Sequence, residues 1–197
     1  MPRHLLLLLA LLGPALAHSQ ADHSLALLQQ ENQEGIVPRY LLQDPYGRPV
    51  SNEDFRGRYQ LISFGYTYCP DICPTTLVDM ATILQQLGAQ AEQVKALFIT
   101  VDPERDTGTI LKTYTEFFDP RILGLTGSPA LIRRATEHFR IRFSKVTDPS
   151  HPDKPYAVDH SAGMILLGPE GRVLRKFPFG TPPAEIAQHI SALISLR

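Results

Sequence analysis

Two short apolar runs, YQLISFGY at 59–66 and VKALFITVD at 94–102, constrain this chain more than any other feature. Each is short for a globular helix and alternates too little for a strand with one wet face. Such a run suits a strand buried on both sides, as in a sheet covered by helices. Amphipathic segments supply the covers. From Pro74 to Leu87, the residues Leu77, Met80, Ala81, Leu84 and Leu87 recur at helical spacing. Asp106 or Thr107 is the expected cap of a second helix reaching about Phe118, with Ile110, Leu111, Tyr114 and Phe117 as its inner stripe. RILGLTG (121–127) reads as a short strand, and SPALIRRATEHFRI (128–141) opens with serine as N-cap and proline at the first helical position.

The flanks add smaller pieces. VPRYLLQDPYGRPVS (37–51) reads as two strands around a Pro-Gly turn. VTDPSHPDKPYAVDHS (146–161) reads as a long irregular loop. GMILLGPEGRVLRKF (163–177) is a hairpin with GPEG at its turn, and TPPAEIAQHISALI (181–194) is a closing helix with Ile186, Ile190, Leu193 and Ile194 inward. Strands alternating with helices give the α/β class. The order predicts a thioredoxin-like fold with an added N-terminal β-hairpin and a C-terminal hairpin plus helix.

The first residues belong to targeting. Arg3 and His4 precede the apolar run Leu5–Leu12, then Gly13-Pro14 and a small-residue site ending at Ala17, so 1–17 reads as a signal peptide. As a membrane anchor, Leu5–Ala17 would span about 20 Å of helix against a bilayer core of about 30 Å. Residues 18–36 are polar and read as a flexible leader, leaving 37–197 as the folded domain. The expected location is outside the cytoplasm, in a periplasm or at the outer face of an inner membrane, where a disulfide can persist. A net charge of -1 gives no electrostatic case for nucleic acid.

The only two cysteines, Cys69 and Cys73, lie in YTYCPDICPTTL, between the first apolar strand and the helix after it. Proline after each one disfavours helical backbone at the cysteine itself, which places both outside the helix and Pro74 at its first position. A helix N-terminus favours the thiolate. Three chemistries fit this pair. A structural disulfide would close only a five-residue loop and restrict little of the unfolded chain. A redox dithiol is the second, and a metal site the third.

A metal needs a further ligand. Of seven histidines, His4 belongs to the signal, His18 and His23 to the leader, His138 and His189 to predicted helices, and His151 to the proline-rich loop. His160 ends that loop immediately before GMILL. In a thioredoxin-like fold that position packs beside the cysteine turn. Two thiolates and one imidazole suit Cu(I), and Cu(II) after rearrangement. Structural zinc wants four protein ligands. Asp102 ends a buried strand at the ligand-binding edge of the sheet and is a candidate to touch the metal's ligands, as is Asp159 beside His160. On the same scaffold a peroxiredoxin would usually carry threonine three residues before its cysteine, where this chain has Tyr66.

The stretches FGYTYCPDICPTTL (64–77), VDPERDT (101–107), GLTG (124–127), VDHSAGMILLGPEGRV (158–173) and PYGRPVSNEDFRG (45–57) together resemble the Sco/SenC family of copper proteins. The resemblance implies copper on Cys69, Cys73 and His160. It also implies delivery of copper to, or preparation of, the binuclear copper centre of cytochrome c oxidase subunit II, with another copper-donating chaperone upstream. The family's other proposed role is that of a thiol–disulfide oxidoreductase, with Cys69 and Cys73 reducing partner cysteines. Many relatives keep a membrane anchor, so membrane association is part of what the likeness implies.

Overall fold

The computed structural model describes residues 37–196, apart from 152 and 154. The expected signal peptide and leader lie outside the described residues. In chain order the strands are β1 (Leu41–Gln43), β2 (Pro49–Ser51), β3 (Tyr59–Gly65), β4 (Val94–Thr100), β5 (Ile122–Leu125), β6 (Phe143–Val146), β7 (Ala157–His160), β8 (Gly163–Leu167) and β9 (Val173–Pro178). The helices are α1 (Ile72–Gln86), α2 (Gly108–Phe118), α3 (Pro129–Phe139) and α4 (Pro183–Ser195).

Five strands form the central sheet in the order β5-β4-β3-β8-β9. β3, β4 and β5 run parallel, whereas β8 and β9 are antiparallel. Every residue of β3 is buried, as its unbroken apolar run requires. Alternate β3 residues reach opposite layers. Tyr59 donates its hydroxyl hydrogen to the Leu193 carbonyl of α4 (3.0 Å), and Gly65 lies against Cys73 of α1 and Phe98. On the other face Phe64 packs on Phe139 of α3 (centroids 5.3 Å), and the Tyr40 hydroxyl meets Gln60 (2.9 Å). This layering is the thioredoxin-like arrangement.

The β1–β2 hairpin pairs Leu42 with Val50 across a turn in which Asp44 accepts from the backbone of Tyr46 (2.8 Å) and Arg48 (2.9 Å). Gly47, at φ 77°, takes the left-handed conformation the turn needs. The β8–β9 hairpin closes at Gly168–Arg172, as the GPEG signal predicts.

Three expectations change, and one choice between two caps is resolved. Helix α1 begins at Ile72, not Pro74, and buries Ile83 where Ala81 is half-exposed. Thr107 caps α2, its hydroxyl accepting from the Ile110 N–H (3.4 Å), while Asp106 is committed elsewhere. On that helix Phe117 is 84% exposed and Ile110 partly so; Leu111 and Thr115 are buried, with Tyr114 and Phe118 half-buried beside them. Adjacent residues lie about 100° apart around a helix, and it is Phe118 that packs on the core and on Tyr114 (centroids 5.3 Å). Finally, the last part of the expected irregular loop is a strand, β7, which pairs with β6 just before the loop as a ribbon in register from Phe143↔His160 to Val146↔Ala157. The prolines that mask it in sequence lie in the connection, not in the strands.

Candidate metal centre

β3 delivers the chain to Tyr66, and a turn through Thr67 and Tyr68 leads to Cys69, whose N–H donates to the Tyr66 carbonyl (3.3 Å). Asp71 occupies the N-cap position of α1, so Cys73 is the second helical residue and faces inward, only 2% exposed. The expectation that both cysteines precede the helix therefore holds for Cys69 and not for Cys73. Pro74 tolerates this because N–H groups in a first helical turn have no intrahelical acceptor to lose. The Cys73 N–H is one of those free donors and points at Cys69 Sγ (3.5 Å).

Gly65 makes room for this arrangement. A Cβ there would stand 2.7 Å from Cys73 Sγ and 2.8 Å from the Phe98 ring. Glycine at the end of a buried strand marks close approach, and here the neighbour is the buried thiol.

His160 is the last residue of β7, opposite Phe143. Its Nε2 lies 3.6 Å from Cys73 Sγ, and its Nδ1 lies 3.1 Å from the Ser161 carbonyl. A carbonyl only accepts, so Nδ1 carries a proton, and in the neutral ring Nε2 then faces the sulfur as an acceptor. The Tyr66 ring stands edge-on to the imidazole at 6.0 Å. Both cysteines are free thiols in this structure. Burial pushes the Cys73 thiol well above its ordinary pKa. Among the described residues, no three His, Cys, Asp or Glu side chains already stand together as a metal set. Cys73 and the imidazole meet, while Cys69 directs its sulfur at the helix end.

The acidic candidates lie further out. Asp102 is buried, paired with the Arg105 guanidinium, and accepts from the Tyr156 hydroxyl (2.7 Å). Its side-chain bonds go to Arg105 and Tyr156, and not to either cysteine or His160. Asp159 is exposed on the opposite face of β7, across from Ser144, so the Ser161 carbonyl orients the imidazole. Asp106, fully buried, accepts from the Thr67 N–H (3.1 Å), the Thr67 hydroxyl (2.6 Å) and the Thr100 hydroxyl (2.6 Å). It ties the start of the cysteine turn to the end of β4. Sequence reading sees Asp106 only as a cap, because the partners that claim it are 39 and 6 residues away. Beside His160 a cleft of about 910 Å³ opens, lined by Arg133, Glu137, Arg142, Phe143 and Asp159 among others.

Comparison with known proteins places this geometry. The family model described as SCO1/SenC matches residues 28–195. The chain is 43% identical over 134 residues to the mitochondrial SCO2 homolog of Bos taurus, covering 67% of this chain and 50% of that protein. It thus spans about half the length of the curated mammalian relatives it matches. Among solved structures, Bradyrhizobium japonicum ScoI with copper bound aligns with a TM-score of 0.71 at 38% identity, covering 78% of this chain and 96% of that one. BsSco, described with a disulfide switch and as a member of the Sco family of cytochrome c oxidase assembly proteins, aligns with a TM-score of 0.63 at 27% identity, over 83% of this chain and 95% of that one.

Proposed function

Because this chain belongs to the SCO1/SenC family, we propose that it carries copper as cargo on Cys69, Cys73 and His160 and supplies it to the binuclear copper centre of cytochrome c oxidase subunit II. The observation that carries the reading is His160 Nε2 standing 3.6 Å from Cys73 Sγ, with Nδ1 3.1 Å from the Ser161 carbonyl. A relative solved with copper bound supports the choice of metal.

The residues fit a soft, low-coordinate ion. Cys73 is held protonated by burial until metal arrives, so loading releases protons and is favoured as pH rises. Cys69 completes the set by turning its sulfur from the Cys73 amide toward the metal. It is half-exposed, on non-helical backbone beside the exposed Tyr68, and is therefore the ligand a partner reaches first. Cargo leaves by ligand exchange through that side. The location follows as a proposal too: outside the cytoplasm, on a periplasmic or equivalent face. Among the described residues no helix is long and apolar enough to cross a membrane.

A second reading has its own support in the disulfide switch of BsSco. Cys69 and Cys73 would pass two electrons and two protons to a partner disulfide, closing their own S–S bond as the partner becomes a dithiol. Copper content and spectra of the reduced protein separate the readings. The carrier binds one copper per chain, and His160→Ala weakens retention while leaving thiol–disulfide exchange with a model peptide intact. If His160→Ala holds Cu(I) and Cu(II) like the parent, the histidine is not a ligand and the carrier reading fails.

A further inference from the structure

The two halves of the copper set come from separate parts of the chain. Cys69 and Cys73 sit on the β3–α1 connection, and His160 sits at the end of the β6–β7 ribbon. One short turn after β4, Asp102-Pro103-Glu104-Arg105-Asp106, grips both. Asp106 holds the cysteine side through Thr67. The ribbon is held by the other three charged residues. Asp102 accepts from the Tyr156 hydroxyl (2.7 Å), Arg105 Nη1 donates to the Tyr156 carbonyl (2.9 Å), and Glu104 pairs with Lys145 of β6 (2.6 Å).

Arg105 is the centre of this grip. Its Nε pairs with the fully buried Asp102 carboxylate, leaving the arginine side chain 16% exposed. Its guanidinium lies 3.8 Å from the Tyr156 ring, 4.8 Å from Tyr68 and 5.6 Å from Tyr66. Two of these rings belong to the cysteine turn, and the third directly precedes β7. Tyr66 in turn abuts the His160 imidazole. Cation–π contacts of this kind gain strength when desolvated, and an arginine plane can serve several rings that a lysine cannot.

We propose that Arg105 is a positioning residue that pins the β6–β7 ribbon to the cysteine turn and so determines whether His160 reaches a copper ion held by Cys69 and Cys73. This rests on the carrier reading for its copper consequence. The pin itself is a property of the metal-free protein. Without it, two thiolates remain to hold Cu(I), while the histidine contribution, most important for Cu(II), is lost.

The test uses the full chain and its Arg105→Met, Arg105→Lys, His160→Ala and Arg105→Met/His160→Ala variants. Cu(II) affinity is measured by chelator competition with the metal alone, and backbone hydrogen exchange is measured without metal. Arg105→Met is expected to lower Cu(II) affinity roughly 10- to 100-fold, the usual cost of losing a group that orients a ligand. It should lower the affinity no further once His160 is already alanine, and Arg105→Lys should fall between. Exchange at 143–146 and 157–160 should quicken in Arg105→Met while β3 and β4 stay protected. Unchanged ribbon exchange overturns the pin whatever the copper data show. Equal copper losses with and without His160 would show a general effect on the fold and overturn it as well. Copper binding indifferent to His160, with ribbon exchange accelerated, would refute the ligand assignment and leave the pin standing.

Discussion

Thr67 and Asp106 are joined twice: the threonine N–H and hydroxyl both donate to the same carboxylate, one to each oxygen. The Thr100 hydroxyl adds a third bond, so a buried carboxylate connects the cysteine turn to the end of β4. Burial pushes its carboxyl pKa up, and the three donors oppose that shift. Asp106→Ala leaves three donors facing a void. The expected loss is on the order of 3 kcal/mol, with Asp106→Asn losing less because one acceptor oxygen remains. Urea unfolding monitored by circular dichroism checks this. An alanine variant within about 0.5 kcal/mol of the parent would mean these bonds contribute nothing.

Gly65 and Cys73 make a second, steric relationship. Gly65→Ala would put a methyl group at 2.7 Å from the sulfur and 2.8 Å from a ring carbon of Phe98, itself fully buried. Both neighbours are buried, so the added methyl must push one of them aside, and the small thiol is easier to displace than the Phe98 ring. Overpacking of this kind costs about 1–3 kcal/mol. Copper retention should fall along with stability, because the displaced sulfur is a proposed ligand. Thermal unfolding and copper stoichiometry on one preparation test both parts. Unchanged values for both would show that the strand end and the thiol are not in contact in solution.

Asp44 carries a pH dependence of its own, in the β1–β2 turn. Burial resists its ionisation, but the backbone N–H groups of Arg48 and Tyr46 and the Arg48 guanidinium outweigh it and hold the carboxyl below the usual range. A carboxyl depressed in the fold stabilises the protein fully above its unfolded pKa of about 4 and loses that contribution as pH falls through the lower folded value. Asp44→Asn should therefore be less stable than the parent at pH 7, and the gap should narrow as pH drops below about 4. Denaturant midpoints of both proteins across that range give the comparison. A gap constant with pH would assign the loss to packing of the turn and not to charge.

How much of this was legible in sequence depended on the range of the interactions. The unbroken apolar runs of β3 and β4 announced a sheet covered on both faces, since nothing else buries consecutive residues in so short a span. The position of His160 before GMILL placed it near Cys73, because strand order carries across the fold. Local signals failed where tertiary partners overrode them. Pro74 argued for a helix start there, yet α1 extends back to Ile72 once Cys73 has a pocket under Gly65. Phe117 was read into the inner stripe, yet the core takes its neighbour Phe118 and leaves Phe117 84% exposed. The β6–β7 ribbon was hidden by the prolines of its connection, and the Arg105–Tyr156 bond beside it joins residues 51 apart, beyond any local pattern. Arg105 itself looked like one charge among several in VDPERDT, since no sequence pattern reveals three tyrosines converging on it.

The two thiols should differ sharply in reactivity although only three residues separate them. Cys69 is half-exposed on non-helical backbone, and Cys73 lies inside the first turn of α1, 2% exposed and with its thiol held protonated by burial. Alkylation needs both an approach path and a thiolate, and each unit of upward pKa shift removes about a factor of ten in thiolate at neutral pH. In the metal-free, reduced protein, Cys73→Ser leaves Cys69 alone and should react with iodoacetamide at least about tenfold faster than Cys69→Ser, which leaves only Cys73. The difference should vanish in urea, where both side chains are solvated alike. Mass spectrometry of timed, quenched samples reads the rates. Equal rates under native conditions would mean that Cys73 is as open to solvent as Cys69, and the division into a buried anchor and an outer, exchangeable ligand would not hold.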